Sequence, residues 1–128
     1  MDMKINPKTP PRRFSPPQGN GITIEDCGTI ELDADQMVTF VSAGGSEYDV
    51  TRKDWGYYAT PSLNGRLPQK GLRPGLMRNA ANRFFIVLVE AGREDAFHKY
   101  LKSQKQRLVA WLDTSETLEK LAGTLGTG

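Results

Sequence analysis

Short segments in which apolar and polar residues alternate are the feature that most restricts the fold of this chain. Between residues 22 and 90 the alternation recurs in short runs that Gly, Pro, Asn or Asp residues separate. A period of two residues is typical of a β-strand with one buried face, and the separating residues are those that turns prefer. The sequence therefore predicts a sheet of short, mainly antiparallel strands.

Two hairpins are predicted in the first half of this region, each with a turn that contains glycine. The first pairs ITIE (22–25) with TIEL (29–32) around Asp26-Cys27-Gly28, and the second pairs MVTFVS (37–42) with SEYDVT (46–51). In each hairpin the apolar side chains fall on one face and the polar ones on the other. We expect the apolar faces to point inward.

Two further strands are predicted at LRPGLMR (72–78) and RFFIVLVE (83–90). The second contains a continuous apolar run, which is typical of a strand buried on both faces, so we expect it to be the central strand. Pro74 lacks a backbone N–H, and we therefore expect the first of these two strands to lie at an edge or to contain a bulge.

The period changes to that of a helix over residues 93–105, where apolar residues recur three and four positions apart. RLVAWL (107–112) follows as a last strand, and Asp113 is expected to cap a short helix. The predicted fold class is α+β, with a mostly antiparallel twisted sheet or partly closed barrel of about six to seven short strands. One amphipathic helix near the C-terminus packs on this sheet.

Composition divides the chain into three parts. Residues 1–20 are rich in proline and basic residues and poor in large apolar ones. They cannot offset the entropy lost on ordering, so we expect a disordered arm. Residues 21–113 are expected to form a single α+β domain, and residues 114–128 a loosely held C-terminal tail.

Charge is segregated along the chain, although the net charge is only +2. Residues 21–51 contain seven acidic residues and no Lys or Arg, whereas residues 52–83 contain seven Lys and Arg residues and one acidic residue. Two interpretations remain open. The two blocks attract each other as surfaces of one sheet, or the basic block binds an anion.

Several function classes find no support in the sequence. No apolar run approaches the roughly 20 residues of a membrane-spanning helix, and the N-terminal region lacks the apolar segment of a secretory signal. We therefore expect no membrane association and a cytoplasmic location. Cys27 is the only cysteine and His98 the only histidine. Because this leaves no thiolate zinc site and no catalytic triad, we expect no metal and no cofactor.

The segment TRKDWGYYATPSLNGRL (51–67) is the best functional lead, because it has no strand or helix period. Its aromatic side chains can stack on sugar rings or bases, and its basic side chains can pair with phosphate or carboxylate groups. A structural role, with Trp55 closing one end of the sheet, is the competing interpretation. With one residue of the next strand, the predicted ligand surface comprises Arg52, Trp55, Tyr57, Tyr58, Asn64, Arg66 and Arg73.

We therefore expect a small non-catalytic binding or accessory domain for an anionic small molecule or carbohydrate, such as a charged sugar, a nucleotide-sugar or a phosphorylated metabolite. An OB-like protein that binds single-stranded nucleic acid is the alternative. The basic arm and the aromatic residues favour it, whereas the acidic hairpins and a pI near 8.8 oppose it. A small enzyme that uses Tyr and Arg is a third hypothesis. The sequence does not indicate an oligomeric state.

Overall fold

The computed structural model describes residues 3–17, 21–59 and 61–126. Some predictions fall partly outside the described residues. These are residues 1–2 and 18–20 of the predicted arm, residue 60 of the segment 51–67, and residues 127–128 of the predicted tail. Within the described ranges the protein has eight strands in three antiparallel sheets, and three helices. The α+β class is confirmed, and the sheets do not close into a barrel. The elements are β1 (Lys4–Phe14), β2 (Ile24–Glu31), β3 (Met37–Val41), β4 (Glu47–Lys53), β5 (Gly56–Tyr58), α1 (Arg66–Gln69), β6 (Leu72–Arg78), β7 (Phe84–Glu90), α2 (Glu94–Ser103), β8 (Arg107–Trp111) and α3 (Ser115–Leu125).

The chain forms two compact units. Unit 1 comprises Met1–Val38 and Val50–Ala59, and unit 2 comprises Thr39–Asp49 and Thr60–Gly128. Unit 1 therefore contains β1, β2 and β5 with the start of β3 and the end of β4, and unit 2 contains the remaining strands and the three helices. The sequence-based domain boundaries at residues 21 and 113 stay a prediction.

In unit 1, β1 pairs antiparallel with β2. The sequence predicts a disordered arm over residues 1–20, whereas Lys4–Phe14 forms this strand. Opposite charges support the pairing, because Lys8 and Arg12 contact the Asp26 carboxylate at 2.6 and 3.4 Å. The prolines of β1 fall where its register with β2 shifts, and proline is tolerated at such irregularities. The acidic residues of β2 thus have basic partners in the preceding strand.

The first predicted hairpin is wrong, because β2 runs through Asp26-Cys27-Gly28 without a turn. Gly28 has a φ of +136°, and a Cβ atom there would collide with the carbonyl oxygen of Asn6 on β1. Glycine permits this close approach of two backbones beside the irregularity of β1. Gly28, which the sequence suggests as a turn residue, therefore lies within a strand.

The second predicted hairpin is confirmed, since β3 and β4 are neighbours in a sheet with β5. The Ser42 N–H donates to the Ser46 carbonyl at 3.2 Å and closes the turn. The segment after β4 is more regular than its sequence indicates. Lys53 lies opposite Gly56, so β4 and β5 form a second tight hairpin with Asp54-Trp55 at its tip.

Unit 2 is organised around a three-stranded sheet with the order β7-β6-β8. The prediction that RFFIVLVE is the central strand is wrong, because β7 lies at an edge and β6 lies between its neighbours. Pro74 is tolerated in the central strand because β8 ends at Trp111, opposite Gly75. The Pro74 carbonyl still accepts a hydrogen bond from the Leu112 N–H at 2.8 Å.

The core of unit 2 lies between this sheet and its helices. The predicted amphipathic helix is confirmed as α2, and it contributes the buried Leu101. α3 covers most of the predicted tail. Its N-terminal cap is Thr114 rather than the predicted Asp113. The Thr114 hydroxyl accepts a hydrogen bond from the Thr117 N–H at 3.2 Å. The buried apolar side chains of the described residues are Leu67, Leu72, Met77, Val89, Leu101 and Leu112.

Candidate functional site

Four residues of the predicted ligand surface lie on the β4–β5 hairpin of unit 1. The Arg52 Nη1 atom donates to the Gly56 carbonyl at 2.9 Å, and the Arg52 guanidinium lies 5.4 Å from the Tyr57 ring centroid. Trp55 contacts Tyr58 edge to face, with ring centroids 6.4 Å apart. Trp55, Tyr57 and Tyr58 are 67%, 62% and 61% exposed. Trp55 is therefore too exposed to close the end of a sheet within its own unit.

The other three predicted residues lie in unit 2 and already have partners there. The Asn64 Nδ2 atom donates to the Ser115 hydroxyl at 3.0 Å. The Arg66 Nε atom donates to the Asp49 carboxylate at 3.2 Å, which neutralises the charge that was predicted to bind an anion. Arg73 has the largest set of partners of the three.

Arg73 lies between two carboxylates and an indole ring. Its Nε atom donates to Asp113 at 2.7 Å, its Nη1 atom donates to Glu94 at 3.2 Å, and its guanidinium lies 4.0 Å from the Trp111 ring centroid. The hydrogen bond to Asp113 raises the pKa of Arg73. The pKa of Glu94 is lowered, first by its own backbone N–H and then by Arg73. Arg73 therefore joins β6, α2 and the chain after β8, and we expect it to stabilise unit 2 rather than bind a ligand.

A cavity of about 410 Å³ lies in unit 2, at the end of the sheet where β6 finishes and β8 begins. Antiparallel register explains its position, since Arg78, the last residue of β6, lies opposite Arg107, the first residue of β8. Basic and amide side chains form most of its lining. We call this cavity the basic pocket, and its residues are Arg78, Asn79, Ala80, Asn82, Lys105, Gln106 and Arg107.

The charges of the basic pocket are not neutralised within the described part of the chain. None of Arg78, Lys105 and Arg107 forms an ion pair with a described residue. Like charges directly opposite each other on antiparallel strands destabilise a sheet. Arg78 lies over the Phe84 ring, 5.7 Å from its centroid, which leaves its positive charge in place. An anion bound beside both arginines would reduce the repulsion.

Lys105 reaches the basic pocket from an unfavourable backbone conformation. It follows the last turn of α2 with a φ of +55°, in the left-handed region where helix ends usually have glycine. A residue with a Cβ costs about 1–2 kcal/mol in this conformation. The Gln106 N–H donates to the Leu101 carbonyl at 2.9 Å and fixes the chain there. A lysine is thus placed in the pocket where glycine would be less strained.

The β6–β7 turn forms a fixed wall of the basic pocket. The Asn79 side-chain oxygen accepts hydrogen bonds from the backbone N–H groups of Ala81 and Arg83, at 3.0 and 2.9 Å. Asn82 has a φ of +65°, which asparagine tolerates better than most residues. The wall is therefore preorganised by the turn's own hydrogen bonds.

The basic pocket was not predicted from the sequence, because Arg78 lies far along the chain from Lys105 and Arg107. A usable signal existed. Arg78 ends one predicted strand, Arg83 begins the next, and Arg107 begins the last. In an antiparallel sheet, the end of one strand lies beside the beginning of its neighbour. These three positions therefore fall at the same end of the sheet if the strands are neighbours.

Groups suited to nucleophilic or metal chemistry are dispersed. Cys27 is exposed on β2 in unit 1, and His98 is exposed on α2 in unit 2. Among the described residues, no three His, Cys, Asp or Glu side chains lie close enough together to hold a metal ion. No helix in the described part of the chain is long and apolar enough to cross a membrane.

Comparisons with known proteins found no matching family model, no similar curated protein and no similar solved structure. The geometry of the chain's own residues therefore has to support any functional conclusion.

Proposed function

We propose that the protein is a non-catalytic binding domain for a small anionic ligand, which the basic pocket of unit 2 holds. The observation that carries the proposal is that Arg78 lies opposite Arg107 while Lys105 lines the same cavity. Guanidinium groups bind phosphate and carboxylate oxygens through paired N–H groups. The cavity of about 410 Å³ also has the size of a small-molecule site.

The ligand is expected to carry a hydroxyl group near its anionic group. Asn82 and Gln106 bring side-chain amides to the lining of the basic pocket beside its cations. A side-chain amide both donates and accepts hydrogen bonds, which suits a ligand hydroxyl. A sugar phosphate or another charged sugar has both groups, and it belongs to the ligand class that the sequence predicts.

Isothermal titration calorimetry with glucose 6-phosphate tests this proposal. Arg107→Gln is expected to weaken binding about 10- to 100-fold, because one charge-assisted hydrogen bond contributes about 1.5–3 kcal/mol. Arg66→Gln is the matched control, because Arg66 belongs to the sequence-predicted surface and is paired with Asp49. It should bind like the unsubstituted protein.

Two outcomes would contradict the proposal. If Arg66→Gln weakens binding and Arg107→Gln does not, the ligand lies outside the basic pocket. If the unsubstituted protein binds neither glucose 6-phosphate nor inorganic phosphate, the anion-binding function itself is refuted.

The β4–β5 hairpin is a second candidate surface. The exposure of Trp55, Tyr57 and Tyr58 favours a ligand with a flat face, such as a sugar ring or a base, and Arg52 supplies a positive charge beside them. Titration of neutral and charged sugars, followed by Trp55 fluorescence in a Trp111→Phe variant, tests this surface. An unchanged Trp55 spectrum with every sugar would remove it as a candidate.

Single-stranded nucleic acid remains the alternative ligand, because such proteins also combine basic grooves with exposed aromatic residues. Counterion release makes that binding fall steeply with salt. Titration of a single-stranded oligonucleotide at two salt concentrations separates the two functions. Tight and steeply salt-dependent binding would favour nucleic acid, and no binding would favour the small anionic ligand.

We also infer a cytoplasmic location. Cys27 is exposed and is the only cysteine of the sequence, so it suits a reducing compartment in which it stays a free thiol. Fractionation of cells that express a tagged chain tests this location, and recovery of the protein from a membrane or secreted fraction would contradict it.

A further inference from the structure

β7 presents an open edge to a second strand. Among the described residues no strand flanks it on the side away from β6. The Asn79 N–H donates to the Arg83 carbonyl at 3.0 Å, and the Ala91 N–H donates to the Gly71 carbonyl at 2.9 Å. The odd-numbered residues of β7 therefore pair with β6. Since the direction of pairing alternates along an antiparallel strand, the N–H and C=O groups of the even-numbered residues point away from the sheet.

This edge lacks the features that normally protect one. Phe84, Phe85 and Ile86 are 53%, 43% and 54% exposed, and no charge or proline occurs between Phe84 and Val89. Exposed edge strands usually carry charge, proline or a bulge, which prevent pairing with another chain. An apolar groove of about 360 Å³ between β7 and α2, lined in part by Val87 and Tyr100, runs beside the strand.

We propose that β7 pairs with β7 of a second copy of this chain, antiparallel about a twofold axis, so that the two three-stranded sheets become one. A register centred on Val87 sets Ile86 opposite the second copy's Leu88, and both residues have outward backbone groups. The same register sets Phe84 opposite the second copy's Glu90, so the apolar residues of the two strands lie side by side along the whole pairing.

The exposed area indicates a reversible dimer. An aromatic side chain that is half exposed can bury about 100 Å² more. Phe84, Phe85 and the 43% exposed Tyr100 therefore supply up to about 300 Å² per copy, and the exposed part of Ile86 adds to this area. A standard interface buries about 800 Å² per partner, so these side chains supply about half of that area before the strand backbone and groove walls are added. The dimer should form as the protein concentration rises.

Sedimentation velocity from low micromolar to several hundred micromolar protein tests the proposal. The unsubstituted chain should shift from monomer to dimer, and Ile86→Lys should stay monomeric because a charged edge residue blocks pairing. Val109→Lys is the matched control, since Val109 is 48% exposed on β8, the opposite edge strand. It should dimerise normally. A chain that is monomeric throughout, or a dimer that Val109→Lys abolishes and Ile86→Lys does not, would overturn the proposal.

Amide exchange of the unsubstituted chain gives a second readout that requires no variant. The N–H groups of Ile86 and Leu88 should exchange more slowly at the higher concentration, while those of the β6–β8 ladder stay unchanged. Equal exchange of Ile86 and Leu88 at both concentrations would refute the pairing. Because neither measurement involves a ligand, the dimer and the anion-binding function can fail separately.

Discussion

Replacement of Arg73 by Met separates the structural role of this residue from the ligand-binding role that its sequence context predicts. Methionine keeps much of the apolar stem beside Trp111 but removes the charge. The variant loses the hydrogen bonds to Asp113 at 2.7 Å and to Glu94 at 3.2 Å, and the contact with the Trp111 ring at 4.0 Å. It also leaves the Asp113 carboxylate, whose side chain is only 12% exposed, without its cation.

The expected loss of unfolding free energy is about 2–4 kcal/mol. A hydrogen bond to a charged group contributes about 1.5–3 kcal/mol, and the cation–π contact about 0.5–1 kcal/mol. We count the two lost hydrogen bonds as one because Arg73 is partly exposed to solvent, which screens the ion pairs. For a chain of this size the loss corresponds to a fall in Tm of about 10 °C.

Urea denaturation followed by tryptophan fluorescence in a Trp55→Phe background measures this loss. Trp111 is then the remaining tryptophan, and it reports on unit 2. Arg107→Met is the control, since Arg107 has no described ion pair and faces Arg78, so its replacement should leave stability unchanged or raise it. A loss below about 0.5 kcal/mol for Arg73→Met, the usual range for surface substitutions, would refute the structural role.

Three further predictions follow from packing, backbone conformation and ionisation. Leu67→Ala should cost about 2–5 kcal/mol because Leu67 is fully buried, whereas Leu121→Ala, at 45% exposure, should cost far less. Gly28→Ala should weaken the β1–β2 pairing, measured as faster amide exchange in β1, because its Cβ would collide with the Asn6 carbonyl. The folded pKa of Glu94 is lowered from 4.5, so its stabilisation is complete above that pH and is lost as the pH falls through the lower value. Glu94→Gln should therefore flatten the acid side of the stability profile measured by urea denaturation.

Each of these predictions has a contradicting result. Equal losses for the two leucine variants would show that the core of unit 2 is placed wrongly. Unchanged exchange in β1 of Gly28→Ala would mean that Asn6 does not lie against Gly28. An acid profile that is the same for Glu94→Gln and the unsubstituted protein would show that Glu94 and Arg73 do not interact.

Local patterns predicted much of the fold. The strands β3, β4, β6, β7 and β8 and the helix α2 were predictable because their period depends on nearby residues alone. The order of strands was not, since it depends on pairing between distant segments. The apolar run of β7 therefore predicted a strand correctly, but the expected burial of both faces is wrong, because β7 is an edge strand and its first three residues are exposed. Pro74 misled for the same reason, because only the end of β8 beside it makes a proline acceptable in the central strand.

The candidate site was predicted less well than the fold. Residue type identified Arg52, Arg66 and Arg73 as cations near aromatic residues, but a sequence does not show which cations already have carboxylate partners. Asp49 and Asp113 neutralise Arg66 and Arg73, and both pairings depend on tertiary structure. In the basic pocket, tertiary structure brings cations together instead of pairing them with carboxylates. Arg78 and Arg107 are distant in the sequence, and the β6–β8 register brings them together.

Mapping of backbone amide shifts by NMR during titration with glucose 6-phosphate tests the central claim most directly. If the basic pocket holds the anion, saturable shifts should be concentrated at Arg78, in the turn through Asn82, and from Lys105 to Arg107. Saturable shifts confined to the β4–β5 hairpin, or the absence of any saturable shift, would contradict it.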